Sequence, residues 1–449
     1  MQKNELFENV EVVDLTHEGM GVAKIDGFPI FVADALPTER IDLLVTKVGK
    51  SFGYGRVKRR LTEAANRVSG VNTTLLQTGI ADLAHMDYPS QLAFKRQQIV
   101  TLLSKNAGLT DFPVAEVMAA DEITGYRNKA QIPVQEVAGE LETGFFRKHS
   151  HSLVPISDFV IQQPEIDEII NFSRDLFRRY QLTAYDEKTG KGLLRNLMVR
   201  RAVETGEIMM VIIATVDKIP DGILSALTEE FPALVSIQLN VNKSHGNAIF
   251  GKTFKTLFGK NFITDRLLGK TFQISAASFY QVNHAQAEKL YQVAYDLAEL
   301  TADDVIVDAY SGIGTIGLSA ADKVAEVYGM EIIPAAVENA KQNAVLNGIE
   351  NAHYEVGTAE EVFSKWLRGD IQPDVIFVDP PRKGLDEAFI LSAAASAPRS
   401  IIYISCNAAT FSRDVARFAK EGYQLSKVQP IDLFPQTHHI ELVGKFTRK

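Results

Sequence analysis

The chain of 449 residues contains one cysteine, Cys406, where the apolar run IIYI meets a polar turn. A free cysteine is most often a buried small hydrophobe. Polar Ser405 and Asn407 flank this thiol, however, at the end of a predicted strand. An accessible thiolate of lowered pKa is a good nucleophile. We therefore interpret Cys406 as a candidate nucleophile.

A carboxylate and two prolines follow a second apolar run, in DVIFVDPPRKG. Asp379 comes directly after VIFV and precedes the tripeptide that ends at Arg382. Two prolines make a rigid edge without backbone donors, and Asp379 at a strand tip can contact a ligand. Enzymes that methylate exocyclic amines of bases carry an aromatic residue after such prolines, so Arg382 argues against that reaction. A plain loop is the alternative interpretation.

A third acid lies near the C-terminus in FPQTHHIELVGKF. Glu441 stands between Ile440 and Leu442, so in a strand its side chain faces away from theirs. It is either a common exposed strand glutamate or a general base that a final hairpin brings to the site, with His438 and His439 beside it.

Glycines in VDAYSGIGTIGLS follow a predicted strand and open a helix. Gly312, Gly314 and Gly317 make G-x-G-x-x-G, and Glu331 follows at the end of the next strand. This pattern lets the backbone approach an adenosine cofactor while the acid binds its ribose. NAD and S-adenosylmethionine both carry adenosine, so two enzyme classes stay open.

The segment SFYQVN precedes this motif and places Phe279 and Gln281 on one face. An aromatic ring that stacks and an amide that binds a base edge would suit a flipped nucleotide. Core packing of Phe279 fits this stretch equally well.

Strand-like runs alternate with helix-like segments from about residue 271, which predicts a parallel sheet with helices on both faces. Five short strand-like runs within the first sixty residues predict a small barrel of OB type. We therefore expect an α/β chain with a barrel at 1–62, a central α/β domain at 63–270 and a Rossmann-like domain at 271–449. A predicted helix at 89–108 is a candidate to pack on the last domain.

The net charge of −9 argues against a nucleic-acid partner, but its distribution does not. Residues 46–60 hold six basic and no acidic residues, with Phe52 and Tyr54 between them. Cations for phosphates and rings for bases suit RNA, which makes Lys50 and Arg56 candidate RNA contacts. A solvated basic sheet edge is the alternative.

Composition predicts a globular chain that acts in the cytoplasm. Its apolar runs are far shorter than the ~20 residues that a membrane span needs, and its start lacks a secretory apolar core. One cysteine permits neither an internal disulfide nor a site of several thiolates. We expect no membrane contact, no metal site and a monomer.

Taken together, these motifs resemble the RNA 5-methyluridine methyltransferases. The N-terminal barrel looks like their TRAM domain, through HEGMGVAKIDGFPIFVADALP and KVGKSFGYGRV. In the catalytic half SFYQVN, DAYSGIGTIGLS, GMEIIPAAVENAKQNA, DVIFVDPPRKG, ISCNAATFSRD and HHIEL match in order. Similarity is closest to the TRAM-containing bacterial 23S rRNA uracil-5-methyltransferases, one kind of which serves two uridines.

The resemblance implies roles for the motif residues. Cys406 would add to carbon 6 of uracil and Glu441 would later remove the proton from carbon 5. The residues implied to contact S-adenosylmethionine are Gln281, Tyr310, Gly312, Gly314, Glu331 and Asp379. The residues implied to contact the RNA are Phe279, Arg382, Lys50 and Arg56.

Two features depart from the family pattern. The family often has SCNP, and Ala408 stands here in place of the proline. Several relatives bind an iron–sulfur cluster through four cysteines, whereas residues 69–85 hold none. We therefore predict no cluster.

Four alternatives remain at this point. A tRNA 5-methyluridine enzyme has the same chemistry, although tRNA members commonly lack the TRAM domain. A 5-methylcytosine enzyme usually employs two cysteines. An NAD-dependent oxidoreductase leaves Cys406 and the basic barrel without a purpose. A non-catalytic RNA-binding protein has no need of both Cys406 and Glu441.

Overall fold

The computed structural model describes residues 1–246, 248–369 and 371–449. Its first twelve strands are β1 (Leu6–Leu15), β2 (Gly21–Ile25), β3 (Phe28–Ala33), β4 (Arg40–Val48), β5 (Gly53–Arg60), β6 (Lys129–Val137), β7 (Glu140–Phe146), β8 (Leu153–Pro155), β9 (Leu194–Arg201), β10 (Ile208–Ala214), β11 (Leu234–Val241) and β12 (Thr253–Gly259). The later strands are β13 (Phe262–Leu267), β14 (Lys270–Ser275), β15 (Val305–Ala309), β16 (Glu326–Glu331), β17 (Ala352–Val356), β18 (Val375–Val378), β19 (Ser400–Ser405), β20 (Tyr423–Ile431) and β21 (Glu441–Arg448). The helices are α1 (Thr73–Thr78), α2 (Tyr88–Ala107), α3 (Pro164–Arg179), α4 (Asp221–Glu230), α5 (His284–Ala298), α6 (Thr315–Ala320), α7 (Pro334–Leu346), α8 (Ala359–Arg368), α9 (Glu387–Ala395) and α10 (Ala408–Lys420), with a 3-10 turn at Ala321–Lys323.

Strands β1 to β5 close into a barrel in the order β1-β2-β3-β5-β4. Buried apolar side chains such as Val12, Ile30 and Leu43 fill its interior. Gly55 lets β5 pass close to this core, because a β-carbon there would clash with the side chain of Leu43. The predicted N-terminal barrel is confirmed.

Strands β6 to β12 form a seven-stranded sheet in the order β12-β11-β10-β9-β6-β7-β8. Helices α3 and α4 cover one face, over Val199 and Met210. On the other face Met198 and Met209 pack in a core that includes the β13–β14 hairpin and the C-terminal sheet. The domain boundary predicted at residue 270 falls inside this hairpin.

The C-terminal sheet has the order β17-β16-β15-β18-β19-β21-β20. Strands β15 to β19 pair in parallel, and β21 runs antiparallel between β19 and β20. Helices α5, α6 and α7 cover one face and α8, α9 and α10 cover the other. The strand order reverses between β15 and β18, which is where doubly wound sheets bind ligands. The Rossmann-like prediction is confirmed.

Helix α2 precedes the central sheet in the chain but packs on the C-terminal sheet's outer helices. Its buried residues Ile99 and Leu103 belong to one core with Phe411 and Val415 of α10. No helix among the described residues combines the length and apolar character that crossing a membrane requires.

Candidate active site

Three polar side chains from separate motifs meet at the carboxyl edge of the C-terminal sheet. Asp379 follows β18 and Cys406 follows its parallel neighbour β19. Ser405 pairs with Leu442 of the antiparallel strand β21, so Glu441 at the start of β21 lies next to Cys406 across this strand pair. The hairpin thus delivers Glu441 to the strand tip that carries the thiol.

The turn around Cys406 is fixed to the loop that follows Asp379. Asn407 caps α10, because its side-chain oxygen accepts hydrogen bonds from the backbone nitrogens of Ala409 at 3.0 Å and Thr410 at 3.4 Å. Its side-chain nitrogen donates to the carbonyl of Arg382 at 3.0 Å. Capping requires only Asn407 and free backbone N–H groups, so α10 begins correctly without the proline of the SCNP pattern.

The site places three acidic groups close together. Burial, and then the charges of Glu441 and Asp379, raise the pKa of the partly buried Cys406 thiol to about 11, while Arg382 opposes the shift. Burial raises the pKa of Asp379 to about 7. Burial and Asp379 raise the pKa of Glu441 well above its usual value. Ionisation of any one of them therefore disfavours ionisation of the others.

Glu441 is almost fully buried, and the segment before it is anchored by the region that precedes the central sheet. Lys95 of α2 and Asp432 form an ion pair at 2.6 Å, with both side chains inaccessible to solvent. Gln91 and Gln436 exchange two hydrogen bonds of 3.0 Å. These contacts join residues more than 300 positions apart, so no local sequence pattern predicted them.

The two histidines next to Glu441 have other partners. His438 Nδ1 lies 2.6 Å from Asp82 Oδ2, and the His438 backbone nitrogen donates to Asp82 Oδ1 at 2.9 Å. Lys148 donates to the same carboxylate at 3.1 Å. Burial, followed by the charges of His438 and Arg382, lowers the pKa of His439 to about 3, so its ring is neutral at physiological pH. The structure thus gives His438 an anchoring contact.

The glycine loop and the next acid form a cradle beside these groups. Glu331 accepts hydrogen bonds from the backbone nitrogens of Gly312 at 3.2 Å and Ile333 at 2.9 Å. Gly312 has φ of +55° and open space where a β-carbon would stand. Ile332, directly after Glu331, is 62% exposed. A carboxylate beside an open glycine loop and an exposed apolar side chain fits the ribose and flat base of adenosine.

A buried acid that sequence reasoning missed lies under this loop. Asp308 of β15 accepts a hydrogen bond from the Gly317 nitrogen at 2.9 Å, and its other oxygen has no hydrogen-bond partner among the residues that the structure describes. Burial and the neighbouring acids raise its pKa to about 7. The acid inside the apolar run VIVDAY was the available signal. Tyr310, two residues later, adopts φ of +66° with its ring 6.0 Å from that of Phe389.

Phe279 and Gln281 lie on a loop between the central and C-terminal sheets. The carbonyl of Gln281 accepts from Asn128 Nδ2 at 3.2 Å, and the Gln281 side chain reaches Tyr291 in the C-terminal core. Phe279 is 63% exposed. The alternative that Phe279 packs in the core is wrong, since a core ring would be buried.

The predicted barrel contacts lie on the surface of the barrel. Lys50 and Arg56 are exposed, and Phe31 stacks on Phe52 at 5.0 Å between ring centres. The basic run is partly neutralised, because Arg59 pairs with an acid of β4 at 2.9 Å and Arg60 pairs with two acids of the barrel. Among residues 1–246, 248–369 and 371–449, no group of three or more side chains is arranged to hold a metal ion.

Curated relatives match over the whole chain. An RNA methyltransferase of Lactococcus lactis subsp. lactis, named YljE and described as uncharacterized, is 59% identical and covers 100% of this chain and 98% of its own length. A similarly named protein of Streptococcus mutans is 53% identical, with 99% of both chains covered. These relatives are described as RNA methyltransferases and not as NAD-dependent oxidoreductases.

A solved structure matches at a lower identity. The tRNA (uracil-54, C5)-methyltransferase of Pyrococcus abyssi, in complex with S-adenosyl-L-homocysteine, has a TM-score of 0.80 and 27% identity, and covers 98% of this chain and 99% of its own. The family model of the TRAM domain matches residues 8–58. The model of the tRNA (Uracil-5-)-methyltransferase family matches residues 87–449, so the chain belongs to this family.

Proposed function

We propose that this protein methylates carbon 5 of uridine in RNA, and that its substrate is 23S rRNA with one or two target uridines. The observation that carries the chemistry is the placement of Cys406 beside Glu441 at the strand edge next to the Glu331 cradle. The family supports the reaction class. The choice of 23S rRNA follows from the resemblance to TRAM-bearing relatives.

In the first step the Cys406 thiolate adds to carbon 6 of the uracil ring. The new S–C bond moves electron density onto carbon 5 and the carbonyl oxygen on carbon 4, which converts a poor nucleophile into an enolate. Arg382 supports this step, because its positive charge lowers the pKa of the thiol. Phe279, exposed at the loop, would stack on the base once it has left its own stack.

S-adenosylmethionine, when bound, supplies an electrophilic methyl group. Glu331 would hold the ribose hydroxyls, while Tyr310, Gln281, Asp379 and the loop glycines would line the rest of the cofactor. Once carbon 5 carries the methyl group, Glu441 would take the proton from that carbon. The electron pair left behind restores the ring double bond and expels the Cys406 sulfur.

A tRNA substrate is the second candidate. The Pyrococcus abyssi protein is named for uridine 54 of tRNA, and the match covers 98% of this chain, barrel included. Possession of a barrel with exposed Lys50 and Arg56 therefore does not by itself separate the two substrates. In either case the barrel would contribute phosphate contacts outside the catalytic edge.

The test supplies the protein with methyl-labelled S-adenosylmethionine and either 23S rRNA or tRNA, each transcribed without modifications. Cys406→Ala and Glu441→Gln are compared with the wild type, and labelled nucleotides are mapped by mass spectrometry. We expect 5-methyluridine in 23S rRNA, none with Cys406→Ala, and a covalent RNA adduct that accumulates with Glu441→Gln.

Each outcome tests a different part of the proposal. Label in tRNA alone would keep the chemistry and overturn the rRNA substrate. Methylation by Cys406→Ala at the wild-type rate would overturn covalent catalysis. Binding of both RNAs without transfer would favour a non-catalytic RNA-binding protein.

A further inference from the structure

Three cations lie together where the neighbouring strands β6 and β9 of the central sheet meet the loop that carries Phe279. They are Arg127, Lys129 and Arg200, and none of them forms an ion pair within the part of the chain that the structure describes. Lys129 and Arg200 face each other in the register of β6 and β9. Arg127 donates from Nε to the carbonyl of Lys129 at 3.0 Å.

The strand register shows which face of the sheet they occupy. Side chains two residues apart in a strand share a face, so Arg200 points the same way as Met198 and Ala202. Both of these belong to the core shared with the C-terminal sheet. Lys129, opposite Arg200, therefore also faces the catalytic side, whereas Arg201 points to the other face.

Arg200 ties this cation group directly to the substrate loop. It is almost fully buried and donates to the carbonyls of Ser275 at 2.8 Å and Ser278 at 2.7 Å. Ser278 is the residue before Phe279, and the Asn128 backbone nitrogen donates to Val282 in the same loop at 2.8 Å. An anion bound by these cations would lie next to a base that stacks on Phe279.

The arrangement is unfavourable without an anion. Burial, followed by the charges of Arg200 and Arg127, lowers the pKa of Lys129 to about 7. Like charges brought together in a partly buried place oppose the folded state unless a counter-charge joins them. Binding sites commonly retain such an unfavourable arrangement of charges, because a ligand of opposite charge relieves the repulsion when it binds.

A cleft begins two residues after Lys129, on the same face of β6. Gln131 and Gln135, two and six residues further along the strand, line it together with Phe146, His151 and Tyr185. Its volume is about 1000 Å³. Aromatic rings and amides next to cations are what an extended single strand needs, since rings stack on bases while cations meet phosphates.

We propose that Arg127 and Lys129 bind a phosphate of single-stranded RNA next to the target uridine, and that the strand continues into the cleft lined by Gln131 and Tyr185. This inference rests on the proposed function and specifies how the RNA enters the site. Arg200 acts as a positioning residue, because its guanidinium is already occupied by Ser275 and Ser278.

The test measures binding of a short single-stranded RNA that holds the target uridine, at several salt concentrations, by Lys129→Gln and Arg127→Gln. Arg201→Gln is the matched control, since it loses the same charge one residue from Arg200 but on the opposite face, where it pairs with Glu165 at 3.3 Å. Unfolding midpoints and affinity for S-adenosyl-L-homocysteine are measured for each variant.

We expect Lys129→Gln to weaken RNA binding about tenfold at moderate salt and to reduce the slope of log K against log salt by about 0.7, the value for one phosphate on a single strand. Its unfolding midpoint should stay the same or rise, because a charge repulsion is removed. Arg127→Gln should lower the slope likewise, and Arg201→Gln should leave it unchanged.

Two results would overturn the inference. An unchanged salt slope in both variants would show that no phosphate binds there. A loss of affinity for S-adenosyl-L-homocysteine with normal RNA binding would assign the anion to the carboxylate of the methyl donor. In either case methylation of RNA by the wild type would leave the proposed function standing, whereas a wild type that binds RNA without methylating it would overturn the proposed function alone.

Discussion

Replacing Glu441 by glutamine should make the Cys406 thiol more reactive while it blocks release of product. Glu441 is the largest contributor after burial to the raised pKa of Cys406, which is about 11. At pH 8 a thiol of that pKa is ionised in about one molecule in a thousand, against about one in ten for a pKa near 9. Removing the Glu441 charge recovers part of this difference, since burial and Asp379 remain. We expect alkylation at pH 8 to rise about three- to tenfold.

The assay is simple because the chain has a single thiol. Alkylation by iodoacetamide is followed by intact mass from pH 7 to pH 10, for the wild type and for Glu441→Gln. Glu338→Gln makes the same chemical change at an exposed position of α7 and should leave the rate unchanged. Cys406→Ala should show no labelling.

The same variant is then mixed with RNA and the methyl donor. Faster alkylation together with a long-lived RNA adduct is the expected combination, because the base acts only after the thiolate has added. Alkylation at the wild-type rate would refute the electrostatic coupling between Glu441 and Cys406. Rapid decay of the adduct would refute the assignment of Glu441 as the base.

Three further predictions concern groups around the site. Arg382→Gln should raise the pKa of Cys406 further and slow its alkylation about threefold at pH 8, since the guanidinium is the cation that favours the thiolate. Lys95→Met should lower the free energy of unfolding in urea by about 3–5 kcal/mol, because it leaves Asp432 buried without its partner; the double variant with Asp432→Leu should lose less. Asp82 has a folded pKa below its ordinary value because its imidazole and ammonium partners outweigh burial. Its contribution to stability is therefore present above about pH 4 and lost as pH falls through the folded pKa, so the stability of Asp82→Asn should vary less below pH 4 than that of the wild type.

Sequence patterns predicted the parts of the site that are built from neighbours in the chain. The Cys406 turn, the Asp379 strand tip and the glycine loop each follow a short apolar run, and parallel strands bring such tips to one edge. The pairing register between β19 and β21 then depends on the alternation of side-chain directions around Glu441. This alternation is also visible in the sequence, where Glu441 stands between Ile440 and Leu442.

The contacts around the site that sequence patterns did not predict join segments far apart in the chain. Asp82 and His438 are separated by 356 residues, and Lys95 and Asp432 by 337. Neither pair leaves a periodic signal, because each residue looks like an ordinary surface charge in its own segment. The boundary at residue 270 was placed where strand-like runs begin to alternate with helix-like segments, and the β13–β14 hairpin spans this point through backbone pairing.

The electrostatics of the site impose an order on the proposed steps. Before reaction, negative charges on Cys406 and on Glu441 oppose each other, so formation of the thiolate favours uptake of a proton by Glu441. Once the sulfur is bonded to carbon 6 it carries no charge, and transfer of the methyl group removes the negative charge that had moved onto the ring. The pKa of Glu441 then falls, with Arg382 nearby to favour the carboxylate. The base would become active only when a proton on carbon 5 is there to be removed, so the thiolate would attack without a negative charge on Glu441 beside it.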